Sequence, residues 1–433
     1  MVPLIVLALA AFACSQPAAE SAFPLRASDN GRYLVSRAGA PFFVHADTGW
    51  MAVMALTLDE AMRYLDDRKA KGFTAVHLHT VNKEKTGPAT RTGHHPFDPK
   101  DDMTRPNEAY WAHADAVLQA ASDRGLLAIV SSGWFGHNGS SWRNQHTPES
   151  AKVYAQLLGQ RYRKFDNILW IHGGDNNPGD KAAVVHNLAR AIKAEAPKQL
   201  HTVHNAPENA SAADFADAEW LGVNMAYTYK DADRHVAAEY ARKGKTRPIL
   251  LGETGYKGES NTKFLWTATL VRRQPYRAIL SGACGHANGS KTIWHFGPGW
   301  EKALDMPATL QMAHVKTLFT ALPWWQLVPD AAGELVVEGR GTVGQPDFAP
   351  AARTADGAFA VVYLPTPRPV TVDLTKLSGG KLKAVWFNPR DGKSSAIDLP
   401  AAAGRHRFTP PSAGADDDWV FVAHDAAKAF DPR

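Results

Sequence analysis

The chain has 433 residues, of which 45% are hydrophobic and 21% charged, and a formal net charge of +5. Such a chain has enough apolar side chains for a large core plus a smaller second domain, which excludes a disordered protein. The positive excess is scattered, with no lysine- or arginine-rich block, and this argues against a nucleic-acid partner.

Residues 1–13 form an apolar run, too short to span a bilayer and matching the core of a secretory signal peptide. Cys14 follows directly, as at a bacterial lipoprotein cleavage site, although Phe12 is bulky for that motif and no Lys or Arg precedes the run. The expectation is a leader over residues 1–20 and an exported protein. It would be periplasmic, tethered to the outer membrane through lipidated Cys14, or secreted. Cys284 is the only other cysteine, so a lipidated Cys14 leaves no disulfide. In its Ser-Gly-Ala-Cys-Gly setting Cys284 reads as a small core residue rather than a nucleophile.

Asn30-Gly31 and Ala38-Gly39 mark turns around strands Tyr33–Ser36 and Pro41–His45. A strand–helix alternation then begins. Thr57 and Glu60 form a capping box, and Gly72 ends that helix. Thr74–Val81 is a strand, residues 108–124 a helix, Leu126–Ser132 a strand. Thr147-Pro148 opens the next helix with a cap and a first-turn proline. Strands follow from Ile168, at His201–His204, at Trp220–Met225 and at Ile249–Gly252. The helix expected over residues 262–280 contains Pro275, which should kink or break it. The eighth strand is read at Thr292–Phe296. Eight strands alternating with helices predict a (β/α)8 TIM barrel over residues 21–328. An open doubly wound sheet is disfavoured because no strand is followed by a Gly-rich phosphate loop. Beyond a helix at 308–322, short alternating runs separated by turn residues predict a small antiparallel β-sandwich over residues 329–433. No catalytic cluster occurs in it.

Two apolar runs stand out, Ile168-Leu-Trp-Ile-His-Gly-Gly-Asp175 and Pro248-Ile-Leu-Leu-Gly-Glu253. Each reads as a buried parallel strand ending on glycine and a carboxylate. Residues past the C-terminal strand ends form the active face of such barrels. A carboxylate pair placed there is the equipment of glycoside hydrolysis, one as acid and base, the other as nucleophile. Asp175 would be the acid/base and Glu253 the nucleophile; either alone could simply cap the following helix. Asp47, Trp50, His79, Trp134, Asn176, His204, Asn224, Trp294 and His295 fall at other strand ends. Polar groups and flat rings of this kind suit a hydroxyl-rich ligand. His77 and His79 form an H-x-H pair, which raises a metal-dependent hydrolase drawing on His204, Asp175 and His295 as an alternative. A non-catalytic carbohydrate-binding barrel is the third reading. The leading one expects no cofactor, a poly- or oligosaccharide substrate and no protein partner.

The ordered segments also resemble a family. Asn30-Gly-Arg-Tyr-Leu-Val with Pro41-Phe-Phe-Val-His-Ala-Asp-Thr-Gly-Trp50 is similar to the opening of apiosidase-like (DUF4038-type) barrels. Tyr64–Phe73 resembles their first helix and Asn167–Pro178 their acid/base segment. Val271-Arg-Arg-Gln274 with Ser281-Gly-Ala-Cys-Gly-His286 resembles their last helix and strand. Trp386–Gly392 and Asp418–Val422 are similar to a β-module named in that family as collagen-binding. The resemblance implies a glycosidase similar to glycoside hydrolase family 140, whose activity is release of apiose from pectic side chains, with Asp175 and Glu253 as its catalytic pair. The Thr254-Gly-Tyr256 segment departs from the Pro/Ala-Tyr form expected after the catalytic Glu, which leaves the sugar open.

Overall fold

The computed structural model describes residues 21–81, 90–99, 102–134, 147–260, 265–401 and 403–432. The expected leader, Cys14 and the expected start of the 262–280 helix lie outside them. Three short strands, β1 (Arg26–Ala27), β2 (Leu34–Val35) and β3 (Pro41–Phe42), form an antiparallel sheet. The chain then enters the barrel at once with β4 (Val44–Thr48). The strand read as Pro41–His45 is therefore divided at Phe43 between two sheets.

The barrel continues through β5 (Ala75–His79), β6 (Leu127–Ser131), β7 (Ile168–Gly173) and β8 (Leu200–His204). It is completed by β9 (Asn209–Ala210), β10 (Asn224–Tyr227), β11 (Ile249–Glu253) and β12 (Gly285–Asn288). The order is β8-β7-β6-β5-β4-β12-β11-β10-β9, parallel throughout except for β9. Gly222 and Val223 N–H groups bond the His201 carbonyl, and the Thr202 hydroxyl bonds the Val223 carbonyl at 2.8 Å, which draws β8 and β10 together and closes the ring. Helices between the strands bury one face against the barrel. The Thr57–Glu60 capping box forms as read, and Thr147 caps residues 148–162 with Ser150 completing the reciprocal pair. No helix among the described residues is long and apolar enough to cross a membrane.

Three expectations need correction. The eighth strand is Gly285–Asn288, while residues 291–294 form a single helical turn. The strand is polar and glycine-led because a Cβ on Gly285 would lie 2.1 Å from the Val44 carbonyl oxygen of β4. The sixth strand begins at Asn224 rather than Trp220. The helix Ala268–Leu280 runs through Pro275 unbroken. Pro275 cannot donate to the carbonyl one turn back. Arg272 and Arg277, on either side of it, are buried in ion pairs with Asp418 and Asp233, and this tertiary anchoring outweighs the lost bond.

The C-terminal region is a sandwich of antiparallel sheets. It comprises β13 (Leu327–Pro329), β14 (Val336–Glu338), β15 (Ala351–Thr354), β16 (Phe359–Leu364) and β17 (Val370–Asp373). The remaining strands are β18 (Leu382–Phe387), β19 (Ser394–Ile397), β20 (Arg405–Phe408) and β21 (Trp419–Asp425). The six-stranded sheet β13-β15-β16-β21-β18-β19 faces the three-stranded β14-β17-β20. Along β16 the strand period of two sends Ala360, Val362 and Leu364 into the sandwich, and Phe359, Val361 and Tyr363 toward the barrel. The second set shares one core with Phe43, Phe73, Tyr276 and Phe319.

Candidate active site

The Gly-Gly-Asp turn shapes one side of the barrel mouth. Gly173 and Gly174 have φ of 83° and 145°, and a Cβ on Gly173 would sit 2.6 Å from the His204 carbonyl oxygen. Only glycine permits that approach, and the Gly174 N–H bonds the same carbonyl at 2.9 Å. The half-buried Asp175 that follows is thereby brought beside His204. Glu253 ends β11 and is buried at the same mouth. One side-chain atom each of Asp175, His204 and Glu253 lies within 4.8 Å of the others.

His204 links the two acids. Its Nε2 bonds the Glu253 carboxylate and its Nδ1 the Asn205 carbonyl at 3.0 Å. Burial by itself would lower the His204 pKa. The charge and hydrogen bond of Glu253, with Asp175, carry it above the ordinary imidazole value instead. An imidazolium donates from both nitrogens, as these two acceptors require. Tyr256, three residues past Glu253, donates to that carboxylate and accepts from Trp50 Nε1 at 2.7 Å.

Rings line the floor. Trp50 stacks on His79 at 4.6 Å between centroids and meets the edge of His77 at 4.5 Å. Trp134 contacts His79 at 5.0 Å and His204 at 4.8 Å, and Tyr227 contacts His204 at 4.8 Å. Burial, then the charge of His204, pushes His77 down to about 3 and holds His79 well below the usual imidazole range. Both are neutral rings packed under Trp50.

Of the residues expected from sequence, Asp175, Glu253, Trp50, His79, Trp134 and His204 converge, and Asn176 adjoins Asp175. Asp47 does not reach the mouth. Its carboxylate is buried and accepts from Asn288 at 2.8 Å, Tyr64 at 2.9 Å and Arg68 at 3.0 Å. Asn224 lies at the opposite end of the barrel, because its register partner is Ile249 whereas Tyr227 pairs with Glu253. There it caps residues 211–215 by accepting from Ala212 N at 2.9 Å, and it donates to Glu239. Reading the sixth strand early put Asn224 near its end and hid Tyr227. Trp294 and His295 lie past β12 rather than on it. Trp294 Nε1 donates to Glu259 Oε1 at 2.9 Å, and His295 meets the Trp294 ring edge-on at 4.9 Å. Tyr227, Tyr256 and Glu259 were not foreseen; only Tyr256 carried a signal, standing directly after the Glu253 segment. Burial, together with the charge of Glu253, pushes the Glu259 carboxyl up to about 7.

Residues 28–326 match the family model "Apiosidase-like, catalytic domain", and residues 328–424 match "Putative collagen-binding domain of a collagenase". None of the curated proteins matches the chain. A solved structure titled "Glycoside hydrolase" is 29% identical, with a TM-score of 0.86 over 96% of this chain and 100% of that one. A glycoside hydrolase family 5 structure from Bacteroides vulgatus is 26% identical, with a TM-score of 0.84 over 94% and 96% of the two chains. The barrel, the carboxylates at its mouth and these matches agree: the chain belongs to the apiosidase-like catalytic-domain family and is a glycoside hydrolase.

Proposed function

We propose that this glycoside hydrolase removes apiose from pectic side chains by a retaining, two-carboxylate mechanism. The observation that carries the mechanism is the separation of Asp175 and Glu253, whose nearest oxygens fall within 4.8 Å. Retaining enzymes hold their carboxyl groups about 5–5.5 Å apart, whereas inverting ones leave about 6.5–9.5 Å for a water. Glu253 receives two donors, the His204 imidazolium and the Tyr256 hydroxyl, which suit it to the role of charged nucleophile. It attacks the anomeric carbon while Asp175 protonates the leaving oxygen. Asp175 then takes a proton from the water that releases the sugar. The family match supports the choice of apiose. Binding through the ring-lined floor fits a neutral glycan.

Sugar release from a pectic and hemicellulosic panel tests this, with the anomer formed first read by ¹H NMR. The expected result is apiose, released with its configuration retained and unaffected by EDTA. A product of inverted configuration would sink the mechanism. Release that EDTA abolishes would favour a metal-dependent hydrolase, and binding without release a non-catalytic protein. The proposed export, supported by the apolar run 1–13, predicts a membrane-fraction protein beginning at Cys14 and carrying the mass of a lipid. An intact Met1 terminus in that fraction would refute it.

A further inference from the structure

Glu259 is a third carboxyl at the barrel mouth, and the reaction proposed above leaves it without a task. It sits where the segments following β11 and β12 are knitted together. Lys257 N–H bonds the Gly289 carbonyl at 3.0 Å, and Lys291 N–H returns to the Lys257 carbonyl at 3.0 Å. Glu259 N–H bonds the Tyr256 carbonyl at 2.9 Å, and Trp266 N–H bonds the Glu259 carbonyl at 3.0 Å. The side chain is held from the β12 side by the Trp294 indole N–H at 2.9 Å. Trp294 is itself fixed to the barrel, its carbonyl accepting from Met51 N–H at 3.0 Å.

Among the described residues, the charged and titratable groups around this carboxyl include Glu253 and Tyr256 on its own segment, Asp175 after β7, Tyr229 after β10, and Lys291 beside Trp294. Glu259 follows Glu253 on the segment past β11, its N–H bonded to the carbonyl of Tyr256, whose hydroxyl donates to the Glu253 carboxylate. Glu259 therefore stands on the nucleophile's side of the cleft. In a retaining glycosidase that side holds the sugar to be released, while the acid/base flanks the leaving group.

We infer that Glu259, steadied by Trp294, is a specificity-determining residue that binds a hydroxyl of the released sugar. A neutral carboxyl both donates and accepts, as a sugar hydroxyl does, and adds no third negative charge beside Glu253. The sign of the pH effect follows. As pH rises through about 7 the carboxyl ionises, the donor is lost, and sugar binding weakens.

This inference rests on the two-carboxylate reading, so the experiment separates the two. kcat/KM is measured from pH 5 to 9 on the 4-nitrophenyl glycoside of the sugar that wild type releases. That leaving group needs no protonation, so the acid role of Asp175 is bypassed, and kcat/KM does not report the later step in which it acts as base. Glu259→Gln, a permanently neutral donor and acceptor, is expected to match wild type at pH 5.5 and to move the alkaline limb upward. Glu259→Ala is expected to lose roughly ten-fold at pH 5.5, as for one hydrogen bond, mainly in KM, and less above pH 7, where the wild-type carboxyl has itself lost its donor. Trp294→Phe, which removes only the holding N–H, should reproduce part of that loss. A limb in Glu259→Gln that stays in place or moves down overturns the inference. So does an unchanged kcat/KM in Glu259→Ala. Full turnover by Glu253→Gln would instead defeat the underlying mechanism.

Discussion

Glu253→Gln is expected to lower kcat by roughly 10³- to 10⁶-fold, the range seen when a nucleophile that acts with its partners as a unit is removed. The amide preserves the shape of the side chain, can still accept from Tyr256 and can donate its N–H to a neutral His204 Nε2, so the fold should persist. A denaturation midpoint close to that of wild type would confirm this. What it cannot do is form the glycosyl–enzyme bond. Loss of the negative charge also leaves His204 with burial as its dominant influence, which favours the neutral ring. Asp175→Ala should behave differently. It should lose rate on natural glycans but retain much of it on aryl glycosides, and azide should restore turnover as the glycosyl azide with retained configuration. Residual Glu253→Gln activity above about a tenth of wild type, far outside that range, would remove Glu253 from the nucleophile role.

Arg272→Ala is expected to destabilise the protein by about 3–5 kcal/mol, the cost of leaving a buried charge without its partner. Arg272 lies in the barrel helix Ala268–Leu280 and Asp418 in the β-sandwich, and both side chains are at most 3% exposed. The pair is bidentate, with Nε to Oδ2 at 3.1 Å and Nη2 to Oδ1 at 2.9 Å. Gln311 accepts from Nη1 at 2.8 Å, the Asp416 carbonyl from Nη2 at 3.0 Å, and the Tyr363 hydroxyl donates to Asp418 at 2.7 Å. Removing the guanidinium leaves the buried Asp418 carboxylate with the Tyr363 hydroxyl and only a longer contact to Arg390 Nη1 at 3.7 Å. Guanidinium unfolding of wild type, Arg272→Ala, Asp418→Leu and the double variant Arg272→Met/Asp418→Leu would measure the effect. The double variant should recover most of the loss, because two apolar groups need no solvation. A single-variant loss below about 1 kcal/mol would mean that the carboxylate finds another partner. Because the barrel and sandwich share the core around Tyr276 and Tyr363, a single unfolding transition is expected for both. The β-sandwich is thus packed as part of the enzyme's core, and the Val271-Arg-Arg-Gln274 and Asp418-Trp-Val-Phe-Val422 segments recognised in the sequence are the two halves of one contact.

Local chemistry in the sequence determined a good deal. The short, mainly apolar runs of β7 and β11 read as strands covered on both faces, and their terminal glycines and carboxylates marked the open end of a barrel. Caps at Thr57 and Thr147 set helix starts, because a side-chain oxygen bonding an orphan N–H depends on residues within one turn. What the tertiary structure alone decided lies wherever a neighbour distant in sequence overrides local preference. Gly285–Asn288 is a strand because β4 and β11 flank it, while the aromatic Thr292–Phe296 run, more strand-like in composition, turns helically to place Trp294 against Glu259. Asp47 resembled a ligand-binding acid at a strand end, yet Arg68 and Asn288 claim its carboxylate. Asn224 and Tyr227 exchange roles through a shift of register, which residue types cannot show because each strand position is defined by its partner. The approach of Asp175 to Glu253, with His204 between them, depends on the barrel closing. Barrel closure sums many distant contacts, and no single stretch of the chain contains it.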